Sequence, residues 1–121
     1  GVQTCALPIC DWIHVEDHNI AAHLVLQKGA VGEVYNIGAH NEITNREITY
    51  RLIELCGRDE SFINPVADRL GHDRRYSVHI DKVTALGWKM GRSFEESLAE
   101  TVEWYRNNRA WWEPLKARAG L

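Results

Sequence analysis

Thr44-Asn45-Arg46-Glu47-Ile48-Thr49-Tyr50-Arg51-Leu52-Ile53-Glu54-Leu55-Cys56-Gly57 is the best-specified element of the chain. A threonine followed three residues later by a glutamate is the capping-box pattern, in which each side chain satisfies a backbone N–H that a helix start leaves without a partner. Ile48, Leu52, Leu55 and Cys56 then recur at helical spacing until Gly57 stops the run. Upstream, Asp11–Val15 alternates like a strand, and Asp17 offers an N-cap to a helix with Ile20, Ala21, Leu24 and Val25 on one face. Gly29 and Gly32 end that helix, and Glu33–Ile37 predicts a short strand closed by Gly38. Downstream, Phe62–Val66 predicts a strand whose Pro65 suits an edge or a strand end. A short helix runs from Asp81 to Gly87. Ser93 and Glu96 form another capping box, opening a helix with Phe94, Leu98, Val102 and Tyr105 on one face. Trp111, Trp112 and Leu115 give the tail apolar side chains with which to dock. Helices and strands alternate without a repeat or flexible linker, so the fold class is α/β.

At 121 residues the chain is one ordinary domain at most, and 45% hydrophobic with 26% charged residues marks it as globular rather than disordered. No apolar run approaches the roughly 20 residues that span a bilayer, and the amino terminus lacks a secretion signal, so a cytoplasmic protein without a membrane partner is expected. A net charge of −3 argues against a nucleic-acid binder, which usually shows a broad basic surface. Any anion site must be local.

Residues 1–10 fit the rest poorly: they show no helical or strand period and hold two of the three cysteines, Cys5 and Cys10. Gly1–Ile9 resembles one frame of a common sequencing-library adapter, GGA GTT CAG ACG TGT GCT CTT CCG ATC, whose next base, T, would begin the codon of Cys10. The segment 1–10 is therefore expected to be non-native, with natural sequence beginning near Asp11. Cys56 is then the remaining cysteine. Placed at the end of an apolar stripe, it is expected to be a buried structural thiol.

His14, His18, His23, His40, His72 and His79 show no HExxH pattern or other ligand spacing, so no metal site is expected. No serine lies in a GxSxG elbow. The acidic pairs Asp59-Glu60 and Glu95-Glu96 lie at helix ends, where carboxylates favour the dipole or stay solvated. The loop Asp68-Arg69-Leu70-Gly71-His72-Asp73-Arg74-Arg75-Tyr76 differs, because it gathers Arg69, His72, Arg74 and Arg75 within seven residues. Guanidinium forks match phosphate oxygens, and Gly71 allows a turn or close ligand approach; the same composition also suits a solvated charged loop. Asn45 falls in the first turn after Thr44, where free amides attract an anion, or where it serves simply in capping.

Six stretches together resemble the landmarks of dTDP-glucose 4,6-dehydratases, which are extended short-chain dehydrogenase/reductases: Asp11–His18, Gly32–Gly38, Asn41–Asn45, Asp68–Tyr76, Leu86–Trp88 and Thr101–Tyr105. The first two are shared widely among sugar-nucleotide enzymes, whereas the Asp68 loop is much more specific to the dTDP-glucose branch. The resemblance implies that Asn45, Asp68, Arg69, Leu70, Gly71 and His72 contact the nucleotide sugar, Arg69 leading on the diphosphate, with Tyr76 a further contact. It also implies an arginine before Asp11, where this chain has Cys10.

The reaction so implied oxidises the glucose C4 hydroxyl with tightly held NAD, removes water across C5 and C6, and returns the hydride to C6. Four residues after Tyr35, Tyr50, Tyr76 and Tyr105 come Ala39, Glu54, Ile80 and Arg109, so no tyrosine–lysine pair exists, and no glycine-rich turn occurs. The chain is expected to be a carboxy-terminal fragment without catalytic or NAD-binding residues, inactive alone. Its expected partners are dTDP-glucose and a missing amino-terminal domain, with a homodimer only at full length. Residues 11–40 would supply the last helix and strand of a Rossmann-like parallel sheet, and 41–121 the smaller mixed α/β sugar-nucleotide-binding domain. Such a sheet edge leaves apolar surface uncovered, so the isolated chain is expected to be marginal or aggregation-prone. The alternatives are an autonomous sugar-nucleotide-binding module without catalysis, or a fragment of a UDP- or GDP-sugar epimerase, decarboxylase or dehydratase.

Overall fold

Helix α1 (Val15–Lys28) starts two residues before the expected Asp17 cap. His14, in extended conformation, is the cap, its ring Nδ1 accepting the Glu16 N–H at 3.3 Å. Asp17 therefore falls inside the first turn and is 1% exposed. Its Oδ1 accepts the Gly91 N–H at 3.1 Å, while its backbone carbonyl accepts Trp88 Nε1 at 3.2 Å. Asp17 ties α1 to the 88–91 turn instead of capping the helix. The computed structural model from which these contacts come describes residues 2–4, 8–68 and 70–120.

Among the described residues, five short strands form two sheets. β1 (Val2–Thr4) lies parallel to β4 (Ile63–Pro65), with Val2 opposite Ile63. β2 (Ile9–Asp11) is the centre of the second sheet, antiparallel to β3 (Glu42–Thr44) and parallel to β5 (Arg75–Tyr76). Strand pairing thus begins inside the first ten residues, where the sequence has no strand period. Backbone N–H and C=O groups make the ladder, so an edge accepts residues whose side chains carry no pattern. Conversely, Glu33–Ile37 forms no ladder among the described residues, although its composition predicts a strand. Side chains can favour an extended backbone, but only a partner edge makes it a strand.

α2 (Asn45–Leu55) follows β3 directly and carries the expected cap, Thr44 Oγ1 accepting the Glu47 N–H at 3.1 Å. α3 (Asp81–Ala85), α4 (Phe94–Asn107) and α5 (Arg109–Arg118) complete the chain. At the start of α4 both arms of the Ser93–Glu96 capping box are present. The tail docks through Trp112, whose Nε1 donates to the Tyr105 carbonyl at 2.8 Å; Trp111 and Leu115 stay largely exposed.

The core joins α1 to the later chain: Ala21, Ile80, Val83 and Trp88 are buried together, with Ile13, Leu24, Val25 and Ile37 against them. Ile20, expected on the same face, is 58% exposed. It precedes Ala21 by one residue, a rotation of about 100°, and the narrow core does not reach round to it. α2 packs on α4, where Arg51 bonds Glu47 and Glu95 at 2.6 Å each and stacks 5.1 Å over the Phe94 ring. Among the described residues, no helix is long and apolar enough to cross a membrane.

Candidate functional site

Position 10 adjoins two of the expected ligand residues, Asn45 and Tyr76. Cys10 lies opposite Tyr76 in the β2–β5 ladder and opposite Ile43 in the β2–β3 ladder. Its Sγ donates to Asn45 Oδ1 at 3.9 Å, because β3 runs straight into α2 and delivers Asn45 beside the sheet. Cys10 thus touches Asn45 at the start of α2 and neighbours Tyr76 across the ladder, each more than thirty positions from the next. The Asn45 amide offers one acceptor and two donors there, and Cys10 is half-buried.

The backbone of that helix start is less open than its sequence suggests. The Asn45 N–H donates to the Pro8 carbonyl at 3.0 Å and the Glu47 N–H to Thr44 Oγ1. Two amides of the first turn are therefore engaged, and the Asn45 side chain stands beside them as a polar group able to meet a ligand.

The 68–76 loop is organised by pairs of its own. His72 Nδ1 and Asp68 Oδ1 are 2.5 Å apart, and the Tyr76 hydroxyl donates to Asp73 Oδ2 at 2.7 Å. Gly71 has φ 72°, the left-handed region that a side chain resists, and Leu70 beside it is fully exposed. The Ile9 N–H donates to the Arg74 carbonyl at 2.9 Å, anchoring the end of the loop to β2. Arg69 lies outside the described residues.

Among the described residues, Arg75 pairs with a carboxylate. Its guanidinium bonds Glu42 Oε1 at 2.7 Å, and Ser77 Oγ donates to the same oxygen at 2.6 Å. Glu42 raises the Arg75 pKa above its ordinary value, while the bonds from Arg75 and Ser77 hold the Glu42 carboxyl below the usual carboxylate range. The ladder register explains the pairing: Arg75, Ile9 and Glu42 belong to one face, Cys10 and Tyr76 to the other. Sequence spacing inside the loop could not distinguish them, because the distinction depends on which strand β5 joins.

Two further features escaped the sequence. Asp11, next to Cys10, accepts the N–H groups of Ala39 and Asn41 at 2.9 Å each, fixing the turn in which His40 has φ 55°. Cys56, expected buried, is exposed. It caps the carboxy-terminal end of α2, where the apolar stripe borders an open groove rather than a filled core. Among the described residues, no three His, Cys, Asp or Glu side chains gather closely enough to hold a metal ion.

Residues 7–101, spanning every element that builds the site, match the family model described as GDP-mannose 4,6 dehydratase. The chain belongs to this family. Within it, the chain is 48% identical over 113 residues to dTDP-glucose 4,6-dehydratase of Streptomyces antibioticus, covering 93% of this chain and 34% of that relative. Against dTDP-glucose 4,6-dehydratase 1 of Escherichia coli K12, identity is 42% over 119 residues, covering 92% and 33%. The dTDP-glucose 4,6-dehydratase of Streptomyces venezuelae, solved with NAD bound, superposes with a TM-score of 0.88 at 46% identity over 94% of this chain and 36% of that one. A Thermotoga maritima UDP-glucose 4-epimerase solved with UDP-glucose gives 0.76 and 29%, covering 89% and 35%. The chain thus spans about a third of the length of these relatives, and its fold is that of one part of a Rossmann-like dehydratase.

Proposed function

We propose that this chain forms one wall of the nucleotide-sugar site of a cytoplasmic dTDP-glucose 4,6-dehydratase, a hydro-lyase that converts dTDP-glucose to dTDP-4-keto-6-deoxyglucose and water. The observation that carries this reading is that Cys10 contacts Asn45 at the start of α2 and lies opposite Tyr76 in the β2–β5 ladder. The identity of 46–48% to dTDP-glucose dehydratases, against 29% to the UDP-glucose epimerase, favours the dTDP branch.

The part played by these residues is binding and orientation. The Asn45 amide hydrogen-bonds the ligand, and the Asp73-bound Tyr76 hydroxyl borders the same position. Asp68 holds the His72 imidazole in one orientation within the loop, as a ligand-facing histidine requires. Arg69 supplies the planar fork for the diphosphate.

NAD supplies the hydride acceptor in such a reaction, but the residues present do not fit it. A dinucleotide pyrophosphate seats on a glycine-rich turn at a helix N-terminus. Here no such glycine-rich turn occurs, and the first turns of α1 and α4 carry the exposed acids Glu16 and Glu95 with Glu96, which repel a pyrophosphate. NAD and the proton-transfer groups belong to the remaining two-thirds of a relative-length enzyme, and the chain alone binds without catalysis. Calorimetric titration with dTDP and with UDP tests this. Tighter binding of dTDP supports the reading, and equal affinities or none contradict it.

A further inference from the structure

Ile48 and Leu52 on α2, with Cys56 at its carboxy-terminal cap, stand at i, i+4 and i+8, and Phe94, Leu98 and Val102 repeat that spacing on α4. The two helices are tied at one end by Arg51, which bonds Glu95 and stacks on Phe94. Elsewhere these six residues line a largely apolar groove of about 630 Å³. A contiguous apolar surface groove of this size, rimmed by polar residues, marks a place where another apolar surface docks. Trp12, Tyr105 and Trp112 also border it, Tyr105 being half exposed.

Rows four residues apart are the ridges through which helices interlock, and two such rows leave a channel shaped for the ridge of a third helix. The rim cations Arg106 and Arg109 are already paired with Glu103 and Glu113, so the groove selects for an apolar face rather than a charge. The matched region covers 93% of this chain but only 34% of the Streptomyces antibioticus relative, leaving two-thirds of such a polypeptide to be placed against this third.

We propose that the α2–α4 groove seats an amphipathic helix from the part of the dehydratase polypeptide outside these 121 residues. The proposal rests on the family reading above and names the surface through which the two parts join. Cys56, exposed and lining the groove, reports on it.

The test fuses to this chain the part of the Streptomyces antibioticus relative that precedes its matched region. Alkylation of Cys56 by iodoacetamide, resolved by peptide mass spectrometry, is then compared between the fusion and the chain alone. A drop of tenfold or more in rate is expected, largely reversed by Leu98→Asp in the fusion. An unchanged Cys56 rate in a fusion that binds dTDP overturns the proposal. So does slowing that depends on the concentration of the 121-residue chain alone, because the occupant is then a second copy. A fusion that shields Cys56 but binds no dTDP supports the groove and contradicts the function proposed above.

Discussion

The thiol of Cys10 and the side-chain amide of Asn45 are in contact at 3.9 Å, across 35 residues of sequence. The contact is made because the β2–β3 ladder ends where α2 begins, so the position before Asp11 and the first residue of α2 face each other. By family resemblance an arginine is expected at position 10, and a guanidinium there would lie beside the Asn45 amide on the sheet face that carries Tyr76.

Replacing the thiol with the fork, Cys10→Arg, is predicted to tighten dTDP binding ten- to a hundredfold. A charge-assisted hydrogen bond contributes about 1.5–3 kcal/mol, which is that range of affinity. Calorimetry on the two proteins reads it, and an unchanged dissociation constant would remove position 10 from the site.

Arg69→Ala is predicted to weaken dTDP binding by a similar factor, whereas Arg75→Ala is predicted to leave it within about threefold. Arg75 is committed to Glu42 on the opposite face of the sheet. Equal losses from the two substitutions would contradict this division of the loop.

Gly38→Ala is predicted to destabilise the fold by roughly 2–4 kcal/mol, in the range of core overpacking with a lost buried contact. An added Cβ would stand 2.4 Å from Asp11 Oδ2 and 3.0 Å from Val78 Cγ2. The Asp11 carboxylate would have to leave the Ala39 and Asn41 amides it holds. The midpoint of urea unfolding checks it, and no change in midpoint would contradict the clamp.

The α4 cap predicts an acid-sensitive helix. Hydrogen bonds from the Ser93 backbone and hydroxyl hold the Glu96 carboxyl below its ordinary value of 4.5. A depressed folded-state pKa gives stability that is fully present above 4.5 and lost as the pH falls through the folded value. Glu96→Gln should therefore flatten the stability profile below about pH 4.5, and Ser93→Ala should cost about 1 kcal/mol at neutral pH. Circular dichroism followed against pH reads both.

Local chemistry made α2, α3 and α4 legible in the sequence, because capping pairs and helical stripes act within a few residues. Long-range pairing was not. Asp17 resembles an N-cap until Gly91 and Trp88, more than seventy residues away, bury it. Glu33–Ile37 has strand composition without a partner among the described residues, and Arg75 resembles a phosphate ligand until the register aims it at Glu42. Cys56 belongs to a true apolar stripe, but the groove beside it is open. Asn45 and Tyr76 enter the proposed site through family resemblance, while their common neighbour Cys10 depends on strand order.

The most direct measurement is peptide-resolved alkylation of Cys10 with and without saturating dTDP, with Cys56 as the internal control. Slower alkylation of Cys10 alone is the predicted result. Saturable binding of dTDP that leaves the Cys10 rate unchanged would place the ligand elsewhere and contradict the nucleotide-sugar site described above.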